Sequence, residues 1–212
     1  MTYGFEQGGI EWLRARAGKV TASRVADVVA KTKTGWGASR ANYAAQLIAE
    51  RLTGEPAETY SNAAMAWGTA TEPQARASYA FHYDAEVVEI GFCEHPRIAM
   101  SGASPDGLIG LDGLVEIKCP NTATHIETLL NGKVPGKYNT QMQWQMACLE
   151  RDWCDFVSFD PRLPEDMRMF VQRVPRDGAL ISELESQVAT FLAEIDDTVK
   201  RLTALYGRRE AA

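Results

Sequence analysis

Two acidic residues and a lysine lie close together near the middle of the sequence. Asp106 belongs to the turn segment 104–107, and Glu116 and Lys118 follow on a predicted strand. Side chains two residues apart on a strand project from the same face, so Glu116 and Lys118 point the same way. Two carboxylates near a backbone carbonyl suit a hard cation such as Mg²⁺, and a lysine beside them can orient or deprotonate water or neutralise developing charge. These residue types fit metal-assisted phosphodiester hydrolysis, although a surface Asp–Lys–Glu ion-pair group is the alternative interpretation.

A predicted hairpin brings these side chains together. The segments 108–111 and 114–118 have strand patterns, and they flank Asp112-Gly113, a favoured two-residue turn. This register places Glu116 opposite Ile109. The acid of the preceding turn then lies at the open end of the hairpin, beside the lysine.

The remaining elements predict one domain over residues 1–212 with a sheet covered by helices on both faces. Helical periodicity occurs over 21–31, 39–53, 63–83 (with Pro73 inside), 122–131, 136–150 and 177–206, and strand patterns occur over 87–90, 92–100, 107–118, 153–159 and 168–174. The start of the helix over 39–53 is predicted to be capped by Ser39.

The overall charge is unfavourable for a nucleic-acid partner, but its distribution is not. The chain has a net charge of −6 and a pI of about 5.2, whereas nucleic-acid-binding proteins usually present a basic surface. Residues 12–40 nevertheless contain a single acid, Asp27, against seven bases. Those bases are Arg14, Arg16, Lys19, Arg24, Lys31, Lys33 and Arg40. A local basic patch on an acidic protein can still bind phosphate.

Other classes are disfavoured. No apolar run approaches the ~20 residues needed to cross a membrane, and the N-terminus lacks a signal-peptide pattern, so a cytoplasmic protein with no membrane partner is expected. The four cysteines form no C-x-x-C pair, which favours small buried hydrophobic residues over a disulfide framework or an iron–sulfur site.

Several segments together resemble the phage lambda exonuclease family, the YqaJ-like viral recombinases. Asp106, Glu116 and Lys118 fit the P-D…(D/E)-x-K pattern of restriction-endonuclease-like nucleases. The segments that resemble the family's motifs are 12–23, 66–72, 104–108, 116–120, 141–146 and 159–162. They keep the family's order and approximate spacing over about residues 12–165, which makes the resemblance specific although each segment alone is weak.

The resemblance implies a single α/β domain with a central mixed β-sheet flanked by helices. It also implies a Mg²⁺-dependent 5′-to-3′ exonuclease on double-stranded DNA, with Mn²⁺ able to substitute, that leaves 3′ single-stranded tails for recombination. A ring-shaped homotrimer, a single-strand annealing protein as partner, and a phage or prophage origin in a bacterial host belong to the same expectation.

Site residues follow from the resemblance position by position. Asp106, Glu116 and the Ile117 carbonyl would bind the metal, Lys118 would be the catalytic lysine, Glu72 would lie by a second metal or its water shell, and Gln143 would position the nucleophile or a metal-bound water. The glutamines at 141, 143 and 145 cannot share one helix face, and Gln143 is the one chosen, with Gln141 as an accessory.

The family's 5′-phosphate pocket maps onto Arg16, Ser23 and Ser104, and Met65 takes the place of an apolar wedge that parts the terminal base pairs. A core position is the alternative for Met65, beside Trp67. The segment 121–125 lacks the arginine that some family members use to hold a phosphate, so Lys133 and Lys137 are candidates for that contact.

Two other functions stay open from the sequence. One is an endonuclease or junction-cleaving nuclease that uses the same metal site. The other is a catalytically inactive module that binds DNA ends, against which the intact set of two acids and a lysine argues.

Overall fold

The structure is a computed structural model that describes residues 5–33, 35–57 and 63–207. Within these ranges the helices are α1 (Ile10–Arg16), α2 (Val25–Val28), α3 (Ala38–Thr53), α4 (Ala63–Tyr83), α5 (Thr122–Asn131), α6 (Gly136–Leu149) and α7 (Gly178–Tyr206). The strands are β1 (Val20–Thr21), β2 (Lys31–Thr32), β3 (Gly35–Trp36), β4 (Val87–Val88), β5 (Cys93–Glu94), β6 (Ser101–Ala103), β7 (Gly107–Ile109), β8 (Gly113–Lys118), β9 (Trp153–Phe159) and β10 (Met169–Pro175). The predicted single domain over 1–212 includes residues 1–4, 34, 58–62 and 208–212, which lie outside the described part.

A mixed five-stranded sheet in the order β10-β9-β8-β7-β4 forms the centre of the molecule. Only the β8–β9 pair is parallel; its neighbours pair antiparallel. A smaller sheet, β1-β6-β5, and the β2–β3 hairpin lie apart from it. The predicted α/β class with a mixed central sheet is confirmed.

Both faces of the central sheet are buried, and the side chains of β8 alternate between them. Val115 and Ile117 pack with Ala75 and Tyr79 of α4 on one face. On the other face, Leu114 packs with residues of α6, including Met142 and Met146. A third core joins α2 and α3 to α7 around residues such as Val25, Tyr43, Leu47, Trp144 and Phe191.

The predicted hairpin register is wrong, and the correction matters for the site. Ile109 pairs with Gly113, so the loop contains three residues, 110–112, and begins with Gly110 at φ +55°. The left-handed conformation of a glycine stabilises the longer loop at the expense of the Asp112-Gly113 turn. Continued along the strands, this register sets Asp106 opposite Glu116, two residues before Lys118 on β8.

Helices α3 to α7 agree with the sequence patterns to within about a residue, whereas the first 31 residues differ. The helix predicted over 21–31 is a 3₁₀ turn at Ala22–Arg24 followed by the four-residue α2, and α1 was not predicted at all. Gly37, not Ser39, precedes the first turn of α3, without a side-chain cap. Only Cys93–Glu94 of the strand predicted over 92–100 is extended and paired. Within the described residues, no helix is both long and apolar enough to cross a membrane.

Candidate active site

Asp106 and Glu116 face each other at the end of the β7–β8 hairpin. Asp106 Oδ2 accepts a hydrogen bond from the Ile117 backbone N–H at 2.6 Å. This bond holds the turn that contains Asp106 against β8. Glu116 lies on β8 with none of its surface exposed. The structure therefore brings the two predicted carboxylates together.

Glu116 is held on both oxygens by side chains that the fold delivers. Lys118 forms an ion pair with its Oε1. Gln141 donates from Nε2 to Oε1 at 2.5 Å, and Gln145 donates from Nε2 to Oε2 at 2.5 Å. The two glutamines are four residues apart on α6, so they lie on the same helix face, which packs against the sheet. These four residues, with Asp106, are called the carboxylate site below.

Gln143 was the wrong glutamine to place at this site. Its side chain points away from Glu116: Nε2 donates to the Pro175 carbonyl at 2.9 Å, and Oε1 accepts from the Asp177 N–H at 2.8 Å. Gln143 therefore joins α6 to the start of α7. Gln145, which the sequence analysis left without a role, could have been found from its spacing of four from Gln141.

The charges of the carboxylate site interact strongly. Burial, together with the nearby charge of Glu116, raises the pKa of Asp106 well above its ordinary value, against the opposing effect of Lys118. Burial also disfavours the charged form of Lys118, but the attraction of Glu116 and Asp106 outweighs it and raises the pKa of the ammonium group. Lys118 is thus held protonated between two acids, and its single positive charge is shared by the two carboxyl groups.

Glu72 of α4 lies at the margin of the same charge cluster. Its side chain pairs with Arg76, one turn further along the helix, at 2.5 Å, and Arg76 also reaches Glu89 at 2.9 Å. Burial raises the pKa of Glu72, and its charge interacts with those of Glu116 and Lys118. Glu72 is therefore near the carboxylate site but already has a cationic partner.

The donor set at the carboxylate site suits a hard divalent cation. Glu116 is a fully buried acid and Asp106 is a partly buried one, and such an ion would relieve their mutual repulsion. The Ile117 carbonyl lies on the same strand as Glu116. Among the described residues, no group of three or more acidic, histidine or cysteine side chains forms a complete metal cage. Mg²⁺ usually binds through one or two carboxylates and keeps several waters, so two acids with open positions fit its preference.

A second cleft contains the residues predicted to bind phosphate. Arg16, Ser23 and Met65 all line this cleft of about 290 Å³. Ser104 joins them, because its Oγ accepts from Arg16 Nη1 at 3.4 Å and from Trp12 Nε1 at 3.0 Å. This set, called the arginine pocket below, is assembled as predicted, although Met65 is half exposed and not part of the core.

Among the described residues, Arg16 is a cation without an acidic partner. Its guanidinium stacks 3.8 Å over the Trp12 ring. Burial lowers its pKa to about 10, partly offset by the more distant charges of Tyr43 and Glu50. No carboxylate of residues 5–33, 35–57 or 63–207 forms an ion pair with it, since Glu50 instead accepts hydrogen bonds from the Gly18 N–H and Gln46. An unpaired, desolvated guanidinium favours a bound anion.

The two regions are linked by the chain. Ser104 is two residues before Asp106. Arg162 lies 4.3 Å over the Trp67 ring of α4, forks onto Asp160 at 2.7 and 3.0 Å, and donates to the Pro120 carbonyl at 3.2 Å. The segment 159–162 was recognised as a motif without a role. Its structural task is to hold α4 against the end of β8.

Residues 11–152 match the model of the YqaJ-like viral recombinase domain. The chain belongs to this family. An alkaline exonuclease from Laribacter hongkongensis, LHK-Exo, is similar in two crystal structures. The one in complex with dAMP is 56% identical with a TM-score of 0.87, and the other is 55% identical with a TM-score of 0.86. In both cases the match covers 92% of this chain and 96% of the relative.

A phage-related exonuclease from Haemophilus somnus 129PT shares the fold, with a TM-score of 0.69 at 16% identity over 87% of this chain and 96% of the other. No curated protein sequence matches significantly. The family resemblance and the restriction-endonuclease-like fold are confirmed, and the chain is a nuclease of the exonuclease type related to phage recombination functions.

Proposed function

We propose that this nuclease digests one strand of double-stranded DNA from its 5′ end with Mg²⁺, leaving a 3′ single-stranded tail. The observation that carries the proposal is the link between Arg16 and Asp106. Ser104, whose hydroxyl contacts Arg16, stands two residues before the metal-binding acid. A 5′-phosphate bound in the arginine pocket would therefore hold the end of one strand beside the carboxylate site.

Each residue then has a defined task. Asp106 and Glu116, with the Ile117 carbonyl, would hold Mg²⁺, which supplies a water of lowered pKa and a Lewis acid for the phosphoryl oxygen. Gln141 and Gln145 keep the Glu116 carboxylate oriented through both oxygens. Glu72 contributes further negative charge at the margin of the site.

Lys118 holds a proton at Nζ. Sharing the two carboxylates with a divalent cation would weaken the attraction that keeps this ammonium charged. The lysine could then orient the attacking water or stabilise the negative charge that grows on the phosphate. In the arginine pocket, Arg16 and Ser23 would bind the 5′-phosphate, and Met65, half exposed at the rim, would contact the terminal base pairs.

The relative LHK-Exo was crystallised with dAMP, a nucleoside monophosphate of the kind that stepwise hydrolysis of DNA releases. The same family relationship supports a homotrimeric ring around DNA and a single-strand annealing protein as partner. Mn²⁺, which also prefers oxygen ligands in octahedral geometry, should replace Mg²⁺.

The deciding experiment uses linear duplex DNA carrying a label at one end and either a phosphate or a hydroxyl at each 5′ terminus. We expect Mg²⁺-dependent release of mononucleotides from 5′-phosphorylated ends, slower release from 5′-hydroxyl ends, and a surviving 3′ strand. Covalently closed circular duplex is the control and should resist. Cleavage of the circle would favour the endonuclease alternative, and binding of ends without any hydrolysis would favour the inactive end-binding module.

A further inference from the structure

A third polar cleft lies beside the carboxylate site and has no part in the function proposed above. It has a volume of about 500 Å³ and lies between the end of α5 and the start of α6. Lys133, Lys137 and Tyr138 line it, together with one acid, Glu127. Lys133, Lys137 and Tyr138 together are called the lysine groove. The backbone N–H of Val134 donates to Gln172 Oε1 at 3.1 Å, which holds the segment against β10.

The aromatic ring of Tyr138 is the wall that the groove shares with the carboxylate site. Lys118 Nζ lies 5.4 Å from the centre of this ring and Lys137 Nζ lies 4.7 Å from it. The ring itself stacks on Phe156 with centroids 5.4 Å apart, and Phe156 is the β9 partner of Glu116. The ammonium groups of Lys118 and Lys137 are thus separated by no more than the sum of their two distances to the centre of the Tyr138 ring. One strand of B-DNA carries a phosphate every ~3.4 Å along its axis, so this span corresponds to about three phosphates at most.

The charge of the groove is available to a ligand. Neither Lys133 nor Lys137 forms an ion pair with a carboxylate in the part of the chain that the structure describes, whereas Lys19 and Lys118 do. Both groove lysines are exposed. Exposed cations beside the carboxylate site of a protein with net charge −6 are suited to a polyanion.

We infer that the lysine groove binds the phosphate backbone of the strand being digested, with Lys137 on one of the first three phosphates next to the scissile one and Lys133 further along. The inference rests on the proposed function, because it assumes that a DNA strand is hydrolysed at the carboxylate site. It adds a grip on the substrate that depends on neither Arg16 nor the metal.

The test is equilibrium binding of the full chain, in EDTA, to 5′-phosphorylated linear duplex over a series of salt concentrations. Each phosphate contact contributes about 0.9 to the slope of log K against log salt concentration for B-DNA. Lys137→Ala should lower the magnitude of that slope by about 0.9, Lys137→Arg should retain it, and Lys133→Ala should lower it by a similar or smaller amount. Lys200→Ala, which removes an exposed lysine of α7, is the matched control and should leave the slope unchanged.

A second measurement locates the contact. A neutral methylphosphonate is placed singly at each of the first three internucleotide positions from the 5′ end of the digested strand. At one position, the binding loss should not add to that of Lys137→Ala, because both changes remove the same contact.

An unchanged slope for Lys137→Ala, or strict additivity at all three positions, would overturn the inference. Cleavage from the 5′ end with normal metal dependence in the same variant would leave the proposed function standing. Absence of any DNA binding by the unmodified chain would instead defeat both.

Discussion

At the carboxylate site, the partly buried cation Lys118 pairs with Glu116 and interacts with Asp106, so one cation serves two carboxyl groups. In the arginine pocket, Arg16 stacks on Trp12 and contacts a hydroxyl, but no acid neutralises it within the described chain. The first region has one cation for two carboxyl groups, and the second has a cation with no acid beside it among the described residues. A metal ion and a terminal phosphate would complete them respectively, and their difference explains how one acidic chain can handle a polyanionic substrate.

The largest expected effect comes from Lys118→Ala. Removing the ammonium group should lower the rate of nucleotide release by about 10²–10⁴-fold, the range for a group that acts in proton transfer or charge stabilisation. Binding of duplex DNA in EDTA should persist, because the arginine pocket is untouched. Release of nucleotides from end-labelled duplex is measured, with Lys200→Ala as the control. Full activity in Lys118→Ala would remove the carboxylate site from the chemistry.

Arg16→Ala should erase the preference for phosphorylated over hydroxyl 5′ ends. A hydrogen bond to a charged group contributes about 1.5–3 kcal/mol, so the preference should fall by about 10- to 100-fold. The matched control is Arg14→Ala on the same helix, because Arg14 is 56% exposed and pairs only with Glu11 at 3.2 Å. The measurement is the ratio of cleavage rates on the two kinds of end. A preference that survives in Arg16→Ala would assign the 5′-phosphate to another region.

Two glutamines of α6 give a prediction within one helix. Gln141→Ala should lower activity by about 10- to 100-fold, as expected for a residue that orients a metal ligand, with little change in the melting temperature. Gln143→Ala should do the reverse, destabilising the fold by about 1–3 kcal/mol, because it leaves the Pro175 carbonyl and the Asp177 N–H without partners.

Activity assays and denaturant unfolding of both variants measure the split. If Gln143→Ala lost activity at full stability while Gln141→Ala did not, the assignment of the two side chains would be reversed.

The smallest effect concerns the pair of Asp160 and Arg162, which holds α4 against the end of β8. Burial alone would raise the pKa of Asp160, but hydrogen bonds from Arg162 and Thr122 outweigh it and lower the pKa from 3.8 to about 2. A carboxyl group with a depressed folded pKa stabilises the protein above its unfolded pKa and loses that contribution as the pH falls. Stability from Asp160 should therefore be present above about pH 4 and disappear between pH 4 and 2.

Arg162→Ala should flatten the fall of the melting temperature over that interval. The control is Arg201→Ala, which removes an exposed arginine of α7 that pairs loosely with Asp197 at 4.0 Å. An acid limb that is identical in Arg162→Ala and the unmodified chain would show that Asp160 does not depend on this arginine.

Much of the site followed from the chain itself. The alternation along β8 placed Glu116 and Lys118 on one face, and the turn before β7 placed Asp106 near them, because strand geometry has a period of two residues. The conclusion survived the wrong hairpin register because Asp106 still ends up at the open end, now opposite Glu116. The apolar periodicity of α5, α6 and α7 likewise predicted these helices to within about a residue.

What the tertiary structure alone decided concerns contacts between distant segments and short elements. The orientation of α6 selected Gln141 and Gln145 over Gln143, since a helix pattern gives relative faces but not which face meets the sheet. The short α1 and α2 carry too few turns for periodicity to show, and their stability comes from packing. Net charge and spacing could not reveal that Arg16 pairs with no acid of the described residues while Lys118 is engaged, because the pairing of charges depends on which groups the fold brings within a few ångströms.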